Sequence, residues 1–234
     1  MIPLQELRRR LAEAREYKAD WNSKAERLTE LTLGLDPGQR VRKSVDEAST
    51  NYLLVNLTLK VASLVGAYRA AKVKIYGAPE QVAYWFNDYV KDVALYDVED
   101  MLKDRFITGL GVMAIGSEDG RAFLYRVDPL HVWWSPRFGL RTPAWVIRRF
   151  YQGDVEMYEY WDADYHAVWT EERNRLVFCN SNPLGFIPVR FVPNFQVPRI
   201  DFPVGDVELA YPQQRLINEI RRSLLEQARR GQGF

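Results

Sequence analysis

Apolar positions recur at intervals of three and four residues in the first half of the chain, which is the spacing of one helix face. A partial Leu and Ala stripe runs through residues 4–33 among many charged residues, and a second runs through 51–69. A third stripe opens at Pro79, and a fourth begins at Asp97, a favoured capping residue, and stops at Gly109. These patterns predict four helices, with one short strand at 73–76 between the second and the third.

The pattern changes to short apolar and aromatic runs separated by turn residues from Val112 to Cys179. The predicted strands are 112–115, 121–127, 132–134, 144–150, 155–161, 166–170 and 176–179. Neighbouring runs are joined by short turns, so we predict an antiparallel meander of five to seven strands. Helices precede and follow the meander, and the predicted fold class is therefore α+β.

The last third of the chain begins as a short strand and a loop punctuated by prolines, and it ends as a helix. Asp206 is placed to cap a single turn through Ala210, and Pro212 is placed to start a longer helix that continues to Arg230. The apolar stripe of that helix consists of Leu216, Ile217, Ile220, Leu224 and Ala228. Only Gly-Gln-Gly-Phe follows, so we expect no later segment to cover it. The stripe is therefore expected to pack on earlier elements of this chain or on another chain.

Composition narrows the functional classes. The 234 residues are 47% hydrophobic and 27% charged, which are ordinary globular values, and the net charge of +1 gives no global signature of nucleic-acid binding. One cysteine, Cys179, excludes an internal disulfide framework. The N-terminus lacks the apolar core of a signal peptide, and the most apolar helical run, 52–68, contains Lys60. We expect a soluble protein of a reducing compartment.

Three short motifs could carry chemistry, and each also has an ordinary structural interpretation. Residues 109–114 match a GxGxxA dinucleotide turn, but a helix precedes and a strand follows, which reverses the order that such a site needs. Asp162, Asp164 and His166 could ligate a metal ion, although Asp is a common turn residue between strands. Cys179 could act as a nucleophile, but no adjacent motif supplies an activating base.

The aromatic run from Trp133 to Trp169, with Arg148 and Arg149 beside it, could stack the bases of a single-stranded nucleic acid. Aromatic residues that alternate along strands more commonly form a core and cross-strand pairs. Residue chemistry alone therefore favours a non-enzymatic α+β protein with a helix prone to assembly. A metal-dependent enzyme and a single-stranded nucleic-acid binding module stay open as alternatives.

Several segments, in their order along the chain, together resemble the portal protein family of tailed double-stranded DNA phages. They are NYLLVNLTLKVASLV at 51–65, DRFITGLGVMAIG at 104–116, VDPLHV at 127–132, NPLGFIPV at 182–189, GDVE at 205–208 and QQRLIN at 213–218. In portals this order leads through the α+β region called the wing into the first helix of the stem. The resemblance rests on order and spacing from Asn51 to Phe234, because no single segment is specific.

The resemblance implies a non-enzymatic structural subunit of a homo-oligomeric ring, usually of twelve copies, at one vertex of the phage capsid. Such a ring is the channel through which a terminase motor packages double-stranded DNA, and it later attaches the tail through an adaptor protein. Capsid and scaffolding proteins are further implied partners, and no cofactor, metal or membrane is expected. Near-zero net charge agrees with a channel that lets DNA slide, because many cationic contacts would hold the phosphates.

The implied division is an N-terminal helix and loop at 1–50, a wing domain at 51–204 and the first stem helix at 205–234. Portal chains continue into a clip, a second stem helix and a crown, none of which follows here, so we expect the wing half of such a protein. The expected subunit-packing residues are Leu216, Ile217, Ile220 and Leu224. Contacts to a neighbouring subunit or to DNA in the channel are assigned to Arg215, Arg222, Arg229 and Arg230.

Overall fold

The computed structural model describes most of the chain as a mixture of helices and antiparallel sheets. The described residues are 1–32, 60–67, 79–92, 94–118, 121–136, 140, 143–172, 174–198 and 200–231. The predicted α+β class is confirmed. Only residues 60–67 of the predicted second helix belong to the described part, and the predicted strand at 73–76 lies outside it. The boundaries proposed at residues 50 and 204 stay predictions.

Among the described residues, five α-helical segments follow the predicted order. They are α1 (Leu4–Thr32), α2 (residues 60–67), α3 (Glu80–Asp92), α4 (Leu95–Thr108) and α5 (Asp206–Gly231). Helix α3 starts directly after Pro79, whose carbonyl accepts a hydrogen bond from the Val82 N–H, as expected for a proline at a helix start.

The predicted start of α4 was wrong, because the helix begins at Leu95 with Ala94 in the capping position. The carboxylate of Asp97 instead accepts a hydrogen bond from the backbone N–H of Arg126 at 2.9 Å. Two turns later, Asp104 accepts a second hydrogen bond, from the guanidinium of Arg126, also at 2.9 Å. Long-range contacts therefore took the side chain that local sequence had assigned to a cap, and they join α4 to a strand.

The strands form two antiparallel sheets. They are β1 (Leu110–Glu118), β2 (Arg121–Arg126), β3 (Val132–Trp134), β4 (Trp145–Gln152), β5 (Val155–Asp162), β6 (Tyr165–Thr170), β7 (Arg175–Ser181) and β8 (Val189–Pro193). Strands β3 to β7 pair in chain order as the predicted meander. Strands β1 and β2 form a separate hairpin, and β8 pairs with β1 to give the order β2-β1-β8. That division into two sheets was not predicted, because β8 pairs with a strand more than 70 residues earlier in the chain.

Helix α1 contributes to each of the three hydrophobic clusters that the described residues form. Its first half places Leu7, Leu11 and Ala14 against one face of the five-stranded sheet, where Tyr158 and Trp169 are completely buried. Its middle places Trp21 and Ala25 in the cluster that joins the three-stranded sheet to the opposite face of β3 and β4. Its last turns place Leu28 and Leu31 beside α2, α4 and the start of α5. The periodic stripe predicted for residues 4–33 therefore contributes buried side chains to each of these clusters.

Two glycines allow the chain before α5 to cross the end of α4 closely. Gly109 ends α4 in the left-handed region, with φ of 91°, which confirms the predicted helix stop. A Cβ at Gly109 would lie 2.4 Å from the Pro203 carbonyl oxygen, and one at Gly205 would lie 2.5 Å from the Ile107 carbonyl oxygen. Neither position accepts a larger residue without moving backbone, and this crossing sets where α5 begins.

Helix α5 is continuous from Asp206 to Gly231, with Pro212 inside it. The prediction of a single turn followed by a new helix at Pro212 was wrong. Pro212 lies seven residues into the helix and lacks the N–H that an interior helical position donates. The first turn is held elsewhere, because Asp206 accepts a hydrogen bond from the Asn194 side chain at 2.8 Å.

Candidate assembly interface

The first two turns of α5 are anchored to the body of the protein. Val207 is buried in the cluster formed by the ends of α1, α2 and α4. Lys24 of α1 donates to the Glu208 carboxylate at 3.0 Å, which joins the first and last helices. Gln214 is also buried. These contacts fix the direction in which the rest of the helix leaves the body.

Beyond Gln214, α5 exposes an apolar face. The exposed fractions are 57% for Leu216, 52% for Ile217, 53% for Ile220 and 59% for Leu224. All four residues predicted to pack subunits together therefore lie uncovered on one side of the helix within the described part of the chain. Ala228 was predicted to extend the stripe, and its side chain lies outside the described residues.

One further residue of this face, Leu209, was not predicted. Leu209 is 56% exposed and lies seven residues before Leu216, two helical turns earlier on the same side. We name Leu209, Leu216, Ile217, Ile220 and Leu224 the α5 face. Leu209 was overlooked because the helix was expected to restart at Pro212, which would have put Leu209 on a different segment. A continuous helix brings it into line with the others.

The α5 face is costly to leave in water. Complete burial of one Leu or Ile side chain is favourable by about 1.5–3 kcal/mol, and these five are more than half exposed. An isolated helix of about 15 residues is also marginal without tertiary packing. A helix with such a face gains both burial and order when a partner covers it.

The arginines assigned to neighbour or DNA contacts are only partly described. Arg215 is exposed and donates to Glu219, four residues later, at 3.0 Å. Such an exposed pair on one helix contributes about 0.3–0.5 kcal/mol. The side chains of Arg222, Arg229 and Arg230 lie outside the described residues. Their assigned contacts stay predictions.

The residues considered for a metal site do not converge: Asp164 lies in the β5–β6 turn, and Asp162 and His166 lie on opposite faces of the sheet. The Asp162 carboxylate accepts hydrogen bonds from the backbone N–H groups of Asp164 and Tyr165, at 2.8 and 2.6 Å, which closes the β5–β6 turn. His166 pairs across the strands with Trp161, the neighbour of Asp162, so it lies on the opposite face. No cluster of three or more His, Cys, Asp or Glu suited to a metal ion occurs among the described residues.

His166 has a different set of partners. Its Nε2 lies 2.9 Å from a Glu159 carboxylate oxygen, and its ring stacks on Trp161 with centroids 3.5 Å apart. Arg148 also donates to Glu159. Burial raises the pKa of Glu159, but the His166 hydrogen bond and the Arg148 charge lower it more, so the pKa is below its ordinary value. Glu159 is therefore an ionised, largely buried carboxylate that pairs with His166 and Arg148.

The tryptophans considered for base stacking are interior residues. All seven tryptophans lie in the described part of the chain, and five belong to the run from Trp133 to Trp169. Each of these five is at most 9% exposed. Arg148 and Arg149, which were grouped with them, are engaged with Glu159 and Glu156. Stacking of bases would need exposed rings. Four of these rings lie in the clusters that contact α1, and the ring of Trp161 is covered by His166.

The glycine motif at 109–114 and Cys179 both contribute to packing. Residues 109–114 run from the end of α4 into β1, so the order is helix, turn and strand, as the sequence indicated. A Cβ at Gly111 would lie 2.4 Å from the Met101 sulfur, so that glycine serves helix–strand packing. Cys179 is half-buried on β7 and packs against the cluster beneath α1.

Comparisons with known proteins leave the family open. No family model matches this chain, and no curated protein matches it. None of the described helices is long and apolar enough to cross a membrane.

Proposed function

We propose that this chain is a structural subunit of a phage portal-type ring. The observation that carries the proposal is the exposed α5 face on a helix whose first turns are anchored in the body. The segments that resemble portal proteins end in this same helix, where a portal has its first stem helix. A ring of identical subunits gives every copy of the face a partner and leaves no open end.

In this proposal the two-sheet body is the wing and α5 is the first stem helix. The ring occupies a capsid vertex, passes double-stranded DNA without sequence specificity, and meets the terminase motor, the tail adaptor, and capsid and scaffolding proteins. The subunit performs no catalysis itself. The body supports a rigid structural role, because α1 joins both sheets and the start of α5 through one continuous set of buried side chains.

The decisive experiment is the native mass of the purified protein, measured by light scattering, with negative-stain images of the same sample. We expect closed rings with a central hole at micromolar concentration. A protein that stays monomeric over the whole concentration range would overturn the proposal that this chain assembles as a portal-type subunit.

The α5 face is tested by the double variant Ile220→Asp and Leu224→Asp. Both side chains are more than half exposed, so we expect the monomer to fold normally, with unfolding free energy within about 0.5 kcal/mol of the wild type. Assembly should be lost, because two charges would be buried in an apolar contact. The measurement is native mass together with circular dichroism.

The matched control is Tyr151→Asp with Val177→Asp, which replaces two exposed apolar residues on the five-stranded sheet and changes the charge equally. These positions lie outside the α5 face, so the control should assemble like the wild type. Unchanged rings in the Ile220 and Leu224 variant would contradict the role assigned to this face.

A further inference from the structure

A second exposed apolar surface lies between α3 and the β1–β2 hairpin. It is a groove of about 170 Å³ lined by apolar and aromatic side chains. The lining residues are Trp85, Phe86 and Tyr89 from α3, Ile115 from β1, and Ala122, Phe123 and Leu124 from β2. We name this surface the α3 groove.

The α3 groove is a formed surface. The Tyr89 hydroxyl accepts a hydrogen bond from the Leu124 N–H at 3.0 Å, which fixes α3 against the edge strand of the three-stranded sheet. Trp85 stacks on Tyr89 with ring centroids 5.6 Å apart. Trp85 is nevertheless 63% exposed, whereas the other six tryptophans are at most 9% exposed. A rigid aromatic wall that remains in water is typical of a binding surface.

The α5 face and the α3 groove match in length and in polarity. From Leu209 to Leu224 the α5 face covers about 22 Å along its helix, at 1.5 Å per residue, and α3 with 13 residues covers about 20 Å. Both surfaces are apolar, and both are exposed in the single chain, so the α5 face of a subunit does not fill the groove of that same subunit. A second copy supplies the missing partner for each.

Formal charges on the two helices are opposite. Helix α5 has a formal charge of +1, because Asp206 and Glu208 in its anchored first turn offset the +3 of residues 215–230. Helix α3 contains two aspartates, one glutamate and one lysine, a formal charge of −2. Two copies of α5 packed on each other would bring like charges together. Charge complementarity therefore favours α5 on α3 over α5 on α5.

We propose that the α3 groove of each subunit receives the α5 face of the next subunit. This inference deepens the proposed ring and rests on it, because it names the two surfaces that make the repeated contact. A contact between two different surfaces is head-to-tail, and it closes into a ring when the rotation between copies divides a full turn. A contact of α5 with α5 is self-complementary and would stop at a dimer.

The test is site-directed crosslinking in a Cys179→Ser background, so that each protein carries one thiol. Ala122→Cys places a thiol in the groove and Ile220→Cys places one on the α5 face, in two proteins that carry tags of different size. The two proteins are mixed, allowed to assemble and treated with a short bis-maleimide, which tolerates small positional error better than a disulfide does. Val177→Cys, on an exposed strand outside the groove, replaces Ala122→Cys in the control mixture.

We expect a covalent product that joins residue 122 of one protein to residue 220 of the other, and at least about tenfold less product in the control mixture. Rings that crosslink 220 to 220, or that crosslink equally well to 177, would overturn the groove contact and leave the proposed ring standing. Failure of the wild type to form any oligomer would overturn both.

A second measurement separates the apolar and the charge contributions. Ala122→Arg and Ala122→Glu both add bulk to the groove, so both should weaken assembly. Ala122→Arg should weaken it roughly tenfold more, because the incoming helix is positive. Equal assembly by both variants and the wild type would overturn the proposal.

Fluorescence reports the same contact without a new thiol. Trp85 is the tryptophan open to solvent in the single chain, so acrylamide quenching should fall when the wild type assembles. The Trp85→Phe variant keeps an aromatic wall and should lose that change in quenching. Quenching of the wild type that is unaffected by assembly would overturn burial of the groove.

Discussion

Lys18 is a charged residue type in an apolar environment. Its ammonium lies in the core, 1% exposed, and donates to the carbonyl oxygens of Val132, at 2.8 Å, and Pro129. Its Nζ also lies 4.7 Å from the ring centroid of Trp21 and 5.3 Å from that of Trp134. Burial lowers the pKa of Lys18 well below its ordinary value, because a charge is costly in an apolar interior.

Lys18→Met should change how stability depends on pH. The folded state releases the Lys18 proton at a lower pH than the unfolded chain, so the wild type should gain unfolding free energy as pH rises toward the ordinary pKa of 10.5. The limiting slope for one proton is about 1.4 kcal/mol per pH unit. Urea unfolding of both proteins at several pH values should show that the difference, wild type minus variant, increases with pH.

The control for this prediction is Lys103→Met, since Lys103 lies at the surface of α4. That variant should keep the pH dependence of the wild type. A constant difference between the wild type and Lys18→Met across the alkaline range would show that Lys18 does not carry the effect.

At the scale of the element, α5 has a well-packed first part and an outer part with an uncovered apolar face. Its first turns are buried and ion-paired, whereas the helix after Gln214 exposes its apolar face. Pro212 lies at the junction and removes one helical hydrogen bond. The outer turns of α5 are therefore expected to open more readily than the body before assembly.

Pro212→Ala should stabilise the outer turns of α5. Restoration of the missing N–H and loss of the ring favour the helix by about 1–3 kcal/mol. Because the outer turns are not packed in the monomer, the effect should appear as slower hydrogen exchange at residues 213–231, with little change in global unfolding. Ser223→Ala, on the same helix, should stabilise the outer turns by only a few tenths of a kcal/mol and should slow their exchange much less. Equal slowing by both variants would show that Pro212 does not weaken the helix.

At the scale of the whole molecule, α1 couples the two sheets and the helical cluster, so we expect them to unfold together. It contributes buried side chains to the five-stranded sheet, to the three-stranded sheet and to the helical cluster under α5. Two sheets joined by one continuous helix share their stability, because loss of α1 would expose all three clusters at once.

Unfolding by urea should therefore be one cooperative transition. Far-UV circular dichroism reports the helices, and tryptophan fluorescence reports mainly the core beneath α1, so the two curves should coincide. Leu11→Ala, at the buried centre of the first cluster, should lower the unfolding free energy by about 2–5 kcal/mol in both signals. Two separated transitions would indicate instead that the predicted boundary at residue 50 divides independent units.

Sequence alone determined the features that depend on local periodicity and turn chemistry. The apolar spacing indicated α1, α3 and α4, the alternation indicated the β3–β7 meander, and Gly109 marked a helix end. The stripe at Leu216, Ile217, Ile220 and Leu224 was also legible, because side chains three and four residues apart share a face whatever surrounds the helix. The sequence did not show whether other residues bury that stripe, because its burial depends on contacts with distant segments.

Tertiary structure alone decided which elements meet. It paired β8 with β1, drew Asp97 from a helix cap to the Arg126 backbone, and kept α5 continuous through Pro212. It also formed the α3 groove from three elements that no short sequence window contains. These outcomes depend on the packing of distant segments, whose burial free energy exceeds local preferences of about 1–3 kcal/mol at a cap or a proline.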